Sequence, residues 1–176
     1  KGEGYVQPLT LGLFRSDYMV HKAGDNLQIK QVEFNTIASS FGGLSSKTSL
    51  LHKYSLFPSL VSTQWLTDSE HLAATEYPLL NTPIPSSSLN LPFNDSAKGL
   101  AAGIAAAYRA YGPSLQDRPA CVLFLVQDGE RNVFDQRHLE YALQSEGIPV
   151  FRLPFSQVLQ HTTLGEGREL LYRPPH

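Results

Sequence analysis

One cysteine stands among the 176 residues, so no intrachain disulfide is available and the fold must rest on its core. Cys121 lies inside an apolar run. It reads as a small core residue and fits a reducing compartment. That run, Ala120–Val126, is the longest apolar stretch in the chain and is far too short to span a bilayer. An excess of one charge is lacking too: 14 Lys and Arg against 16 Asp and Glu leave a formal net charge of −2. Without a basic run, neither nucleic acid nor an anionic membrane surface is expected as a partner. The chain opens on polar Lys-Gly-Glu-Gly, where no signal peptide is read. A P-loop and a dinucleotide fingerprint are missing, as is a G-x-S-x-G nucleophile elbow. Histidines 21, 52, 71, 138, 161 and 176 are scattered without metal-ligand spacing, which argues against zinc. What is present is ordinary for a soluble globular protein: 41% hydrophobic and 17% charged residues, in a chain long enough to bury a real core.

Leu9–Phe14 reads as a strand, and Tyr18–Val20 continues extended. Ala23-Gly24-Asp25-Asn26 is turn chemistry, which makes Leu27–Asn35 the second arm of a hairpin. Thr48–Val61 has helical spacing that Pro58 disturbs in its second half. Pro78–Pro92, with its Ser86-Ser87-Ser88 run, is expected to be a loop. Ala97–Tyr111 predicts a helix whose apolar face carries Leu100, Ala101, Ile104, Ala107, Tyr108 and Tyr111, ended by Gly112-Pro113. Ala120–Val126 predicts a strand buried on both faces. Asn132–Asp135 offers capping chemistry for a helix with Leu139, Ala142 and Leu143 inward as far as Gly147, and Pro149–Leu153 is the next strand. Strand, helix and strand over about thirty residues make a parallel crossover unit. A short strand-like run, Glu169–Tyr172, follows. The expected fold class is α/β, antiparallel in its first half and parallel in its second, with a seam near Gly112–Pro119.

Two polar constellations interrupt this pattern. In the hairpin, Arg15-Ser16-Asp17-Tyr18 faces Glu33-Phe34-Asn35. Strand alternation puts Gln31, Glu33 and Asn35 on one face and Lys30, Val32 and Phe34 on the other. A carboxylate and an amide oxygen about 7 Å apart on one face can reach one hard cation, most simply Mg²⁺. A nearby guanidinium suits phosphate or carboxylate. Spacing alone fits equally a solvated sheet face with an ordinary ion pair, which is the simpler reading. The second constellation, Gln127–Gln136, follows the parallel strand at its carboxyl end, where open α/β sheets bind ligands. It fits both a polar site and a capped helix start with exposed neighbours.

Leu11–Met19, then Gln31–Ile37 with Ser40-Phe-Gly-Gly-Leu44, then Glu130-Arg-Asn-Val-Phe-Asp-Gln136 together resemble the eukaryotic type of glutathione synthetase, in that family's order and over most of the chain. Any one of these motifs is weak, and three in register are very specific. The resemblance implies an ATP-grasp ligase in which the carboxylate of γ-glutamylcysteine attacks the γ-phosphate of ATP and glycine displaces phosphate from the acyl phosphate. It also implies Mg²⁺ as cofactor, ATP as co-substrate, and a cytoplasmic homodimer. Glu33 would be a Mg²⁺ ligand, and Asn35 would contact metal and nucleotide phosphate. Arg15 would be the catalytic cation beside the dipeptide's reacting end. Ala38, Ser39 and Ser40 would line the dipeptide through backbone groups and the Ser40 hydroxyl. Glu130, Asn132 and Gln136 would hold the γ-glutamyl end, with Glu130 matching its ammonium group and Arg131 counted beside them.

Position 38 is Ala where the family commonly has Ser, which leaves a backbone contact there but no hydroxyl. The family's glycine-rich triads, nucleotide-gripping lysines and further acidic Mg²⁺ ligand have no counterpart in this sequence. The expectation is therefore an internal fragment, inactive alone. Residues 1–112 would belong to the ATP-grasp core, and 113–176 to a parallel βαβ substrate-binding domain. A non-catalytic dipeptide-binding module, or a ligase adding another small amino acid in place of glycine, are the alternatives.

Overall fold

The computed structural model describes residues 4–5, 7–36, 40–56, 93–113 and 117–175, with the side chains of 52–56 excepted. The loop expected at Pro78–Pro92 and the end of the helix expected to reach Val61 lie outside the described residues. Among the described residues the architecture is mixed α/β, with two antiparallel hairpins and one parallel strand pair.

Strands β1 (Arg15–Ala23) and β2 (Asn26–Asn35) pair antiparallel. Gly24 supplies a φ of 61° at the first position of the Gly24-Asp25 loop. A left-handed first residue is what a type II′ hairpin turn requires, and glycine takes it at no steric cost. The pairing runs Arg15 to Asn35 and Asp17 to Glu33, then shifts so that Tyr18 meets Gln31, leaving Val32 unmatched. This bulge corrects the alternation expected from sequence. Directly paired residues share a face, so Glu33 and Asn35 stay with Asp17 and Arg15. Gln31 moves to the other face, where its amide donates to Ser16 Oγ at 2.7 Å. On that face Phe14 stacks on Phe34 with ring centroids 5.2 Å apart.

Leu9–Phe14 is no strand. It precedes β1 and runs beside helix α2 (Ser96–Tyr111): a Cβ built at Gly103 would meet Leu13 at 3.6 Å and Leu11 at 4.0 Å. Its apolar side chains meet a helix where a ladder was expected. Helix α1 (Leu44–Leu56) begins four residues before the sequence pattern suggested, directly after the Gly42-Gly43 pair.

Strand β3 (Val122–Val126), helix α3 (Val133–Ser145) and β4 (Val150–Pro154) form the expected parallel crossover, with Val122 opposite Val150 and Val126 opposite Pro154. The helix ends in a Schellman motif. Gly147, at φ 76°, donates to Gln144 O at 2.9 Å, and Ile148 donates to Leu143 O at 3.1 Å. The accompanying apolar contact is the centre of the core, because Leu143 and Ile148 cluster there with Ala101 and Ala105 of α2. Alanines four apart share one helix face and let α3 come close. Ile104, Tyr108, Val122, Phe124 and Val150 pack around them. Tyr111, expected on the same face, is exposed. β3 is not buried on both faces either. Leu125 keeps 52% of its surface and only Val126 of the strand is buried, since a pair of strands supplies few neighbours. Cys121 is half-buried, and burial pushes its thiol pKa up, as suits a packing residue and not a nucleophile.

A short 3-10 turn (Phe155–Gln157) leads into a single helical turn, α4 (Val158–His161). A last hairpin pairs β5 (Thr162–Leu164) with β6 (Leu170–Tyr172). No helix among the described residues is long and apolar enough to cross a membrane.

Candidate functional site

The hairpin face carries one compact polar group. Arg15 grips Asp17 in a bidentate pair, Nε to Oδ1 at 2.7 Å and Nη2 to Oδ2 at 2.8 Å. The same Nη2 lies 3.6 Å from Glu33 Oε1. Asn35 Nδ2 donates to Glu33 Oε1 at 3.0 Å and reaches Asp17 Oδ2 at 3.4 Å. The hydrogen bond from Arg15 is the largest cause holding the Asp17 carboxyl below its usual pKa, and it raises that of Arg15 in turn. Arg15, Glu33 and Asn35 are thus together, with Asp17 as a fourth member, quoted in the first constellation but given no role there.

The donor chemistry of this face fits Mg²⁺. Among the described residues no cluster of three or more His, Cys, Asp or Glu makes a ready cage. Magnesium seldom uses one, taking one or two carboxylates and completing its shell with water and substrate phosphate. Glu33 and Asn35 are hard oxygen donors on an accessible face, and Glu33 keeps 55% of its side-chain surface. Here Asn35 turns its amide nitrogen to Glu33, so holding a shared cation would call for the opposite amide orientation.

The second constellation is tied into a chain of direct bonds. Glu130 Oε1 accepts the Asn132 backbone N–H at 2.8 Å, and Oε2 accepts Gln136 Nε2 at 2.8 Å. Those two bonds, the Asn132 one first, hold the Glu130 carboxyl below its ordinary value of 4.5. Arg152 Nη2 donates to Gln136 Oε1 at 2.8 Å, which fixes the Gln136 amide with its nitrogen toward Glu130. The other arm of Arg152 pairs with Glu140, which Arg137 also reaches at 2.7 Å. Glu140 is 1% exposed. Arg131 is exposed, and its backbone N–H adds a smaller share to the lowering of the Glu130 pKa.

Asn132 sits at the N-cap of α3 but makes no side-chain capping bond. Its amide instead donates to Asp135 Oδ2 at 3.1 Å. Asp135 then crosses to a distant part of the chain. Its carboxylate accepts Phe41 N–H at 2.6 Å, and Gly43 N–H and Leu44 N–H at 2.8 Å each. The expected capping role of this residue is therefore exercised on α1, whose first N–H groups have no intrahelical acceptor. Ser40 precedes this clamped turn and is half-buried. Ala38 and Ser39 lie outside the described residues. Gly42 and Gly43 are required by close approach: a Cβ at Gly42 would strike Leu100, and one at Gly43 would lie 2.7 Å from Asp135 O and 2.8 Å from His138 Cβ.

Two of the three stretches that looked functional in sequence therefore join through a single carboxylate. The family model described as eukaryotic glutathione synthase, ATP binding domain, matches residues 1–133. The chain belongs to the eukaryotic glutathione synthase family. A second family model, eukaryotic glutathione synthase, matches residues 120–176. Glutathione synthetases of Rattus norvegicus and Homo sapiens are each 37% identical over 169 residues, covering 96% of this chain. The glutathione synthetase large chain of Schizosaccharomyces pombe is 38% identical over 152 residues, covering 80% of this chain and 26% of its own length. This chain spans 30% of the length of the rat and human relatives. A solved structure of a glutathione synthetase-like effector (GSS30) from Globodera pallida, in apo form, superposes with a TM-score of 0.68 over 95% of this chain and 35% of that one, at 20% identity. That likeness supports the fold alone. In glutathione synthase terms, the matched ATP-binding region contains the hairpin face and runs on to residue 133, whereas Gln136 lies within the second family model alone.

The sequence analysis gave Asp17 no role and missed Glu140 and Arg152. The signal for Arg152 was a lone cation in the apolar strand Val-Phe-Arg-Leu. The long-range use of Asp135 had no local signal, because its partners are backbone N–H groups.

One pH effect follows. Since the folded Glu130 carboxyl has a lowered pKa, the bonds it accepts stabilise the chain at all pH values above the ordinary carboxylate pKa. That stabilisation is lost as pH falls through the lowered value. Thermal midpoints measured from about pH 6 down to about pH 3 should fall less steeply for Glu130→Gln than for the unaltered chain. Parallel acid limbs would contradict the assignment.

Proposed function

We propose that the chain forms the γ-glutamylcysteine-facing wall and one edge of the metal-nucleotide site of a glutathione-forming ligase. Residues 1–112 would serve as part of the ATP-grasp core and 113–176 as the substrate-binding domain. The observation that carries this reading is the continuous bond network from the Phe41–Leu44 turn through Asp135 and Asn132 to Glu130, Gln136 and Arg152. It joins two of the stretches that carry the family resemblance into one bonded polar cluster.

On this reading Glu130, kept ionised by the N–H groups around it, takes the α-ammonium of the γ-glutamyl group, and Asn132 and Gln136 flank it. Arg15 lies beside the cysteinyl carboxylate. Its bidentate grip on Asp17 uses Nε and Nη2, which leaves Nη1 for an anionic oxygen. The carboxylate attacks the γ-phosphorus of ATP, ADP leaves, and the acyl phosphate forms. Glycine's amine then displaces phosphate and gives up a proton as the amide closes. Mg²⁺, held by Glu33 and Asn35 with phosphate oxygens, would neutralise charge on the triphosphate. Arg15 would contribute where charge develops on the transferring group. The protein would work in the cytoplasm as a homodimer.

The test is substrate discrimination by a full-length protein carrying this chain. Glutarylcysteine lacks the α-amino group and leaves Glu130 without its cation. Its kcat/KM should fall about a hundredfold or more below that of γ-glutamylcysteine, because a carboxylate enclosed by the bound dipeptide would be left without its cation. Equal use of both compounds would sink the role of Glu130. Absence of any ATP-dependent ligation would sink the functional reading itself.

A further inference from the structure

Asp135 is 5% exposed, and its carboxylate has no role in the chemistry above. It nevertheless accepts four hydrogen bonds, from Phe41 N, Gly43 N and Leu44 N and from Asn132 Nδ2. It occupies the first turn of α3 and faces the first N–H groups of α1, so two helix N-termini converge on one anion. A buried carboxylate is tolerated when its oxygens are filled by donors and when helix dipoles face it. This one meets both conditions. The turn it holds is itself unusual. Phe41 has a φ of 69°, which a side-chain-bearing residue adopts only when its surroundings impose it. The Phe41 N–H is the shortest of the four bonds. A hydroxyl cluster reinforces the turn from the other side, where Ser96 Oγ donates to Gly42 O at 2.6 Å and lies 2.7 Å from Ser45 Oγ.

We infer that Asp135 is a positioning residue for dipeptide binding. Its carboxylate fixes the Phe41–Leu44 backbone, and with it the adjoining Ser40, in register with the Glu130–Asn132–Gln136 cluster. The inference rests on the reading of that cluster as the γ-glutamyl site. Asp135 touches no substrate. It acts through two sets of partners at once: the turn on one side, and the Asn132 amide, whose backbone N–H supports Glu130, on the other. Loosening it would let the two walls of the pocket move independently, and misplacement by about 1 Å is enough to cost much of a bound geometry.

The experiment uses the full-length protein and two variants. Asp135→Asn keeps the shape but replaces one acceptor oxygen with a donor aimed at N–H groups. Gly43→Ala keeps the carboxylate and pushes the turn off it, since the added Cβ would meet Asp135 O at 2.7 Å. Hydrogen–deuterium exchange read by mass spectrometry should speed up in peptides covering residues 40–44 in both variants. KM for γ-glutamylcysteine should rise about tenfold or more in each, since small displacements of a positioning group act on substrate register, while KM for ATP changes less than about twofold. A purely structural role would lower the melting temperature without splitting the two KM values. If Asp135→Asn does not fold, Gly43→Ala decides. Folded variants with unchanged dipeptide KM, or unchanged exchange at 40–44, overturn the inference while leaving the γ-glutamyl site standing. A wild-type protein that does not discriminate against glutarylcysteine overturns that site, and the role of Asp135 with it.

Discussion

Replacing Glu33 with alanine in a full-length protein carrying this chain is expected to lower the ligation rate about a hundredfold or more at saturating substrates, the scale on which a single group stabilising developing charge is felt. The stability of the protein should barely change. Glu33 keeps 55% of its side-chain surface, and its contact with Arg15 is a loose 3.6 Å, the kind of exposed pair that contributes little to folding. A shift of the melting temperature of no more than about 2 °C is therefore expected. This separation of rate from stability is what makes the variant informative. If Glu33 merely decorates a solvated sheet face, neither quantity moves. If it holds a magnesium ion at the triphosphate, the rate collapses, and the Mg²⁺ concentration needed for half-maximal activity rises in the residual reaction. Near-normal turnover with an unchanged magnesium dependence would remove the metal role from this face.

The second large effect belongs to stability. Glu140 is 1% exposed and pairs with Arg152, whose side chain is 14% exposed, and with Arg137, which is 41% exposed. Alanine at position 140 strands two guanidiniums, and their fates differ. Arg137 turns to water, whereas Arg152, whose side chain is 14% exposed, keeps its bond to Gln136 but loses its paired carboxylate. Breaking a buried pair from one side costs about 3–5 kcal/mol. For a chain of this size that is a fall of about 6–20 °C in melting temperature. The damage should also reach the site. Arg152 holds the Gln136 oxygen at 2.8 Å, so its displacement frees the Gln136 amide from Glu130 and loosens the Glu130–Asn132–Gln136 cluster. The double variant Glu140→Met with Arg152→Met tests the physical reason. Apolar replacement of both partners removes the stranded charge, and most of the lost stability should return. Dipeptide affinity should not, because Gln136 no longer has its anchor. A Glu140→Ala protein that melts within about 2 °C of wild type would show that the pair is solvated and carries no such load.

The two constellations were legible in sequence because each is local. Glu33 and Asn35 are separated by one residue of a strand. Glu130, Asn132 and Gln136 occupy one turn and the helix it opens. Period-two alternation and the loop after a parallel strand were sufficient to locate them. The helix at Ala97–Tyr111 and the crossover from Val122 to Pro154 were likewise visible, since apolar spacing and Gly-Pro stops act over a few residues. The bulge at Val32 was not visible. An extra residue in one strand leaves the sequence alternation intact, and only the partner strand reveals it by pairing Asp17 with Glu33 and then Tyr18 with Gln31.

By itself, the sequence determined which residue types could meet a hard cation and an ammonium group, and which strands and helices would carry them. Tertiary structure alone decided that a carboxylate in the Glu130–Gln136 turn would close on the Ser-Phe-Gly-Gly-Leu turn 94 residues away from it in sequence. The reason is chemical. Asp135 is bound there by main-chain N–H groups, which every residue but proline carries and which leave no mark in the order of side chains. Only the folded backbone brings those donors to one point, and with them the two halves of the candidate pocket.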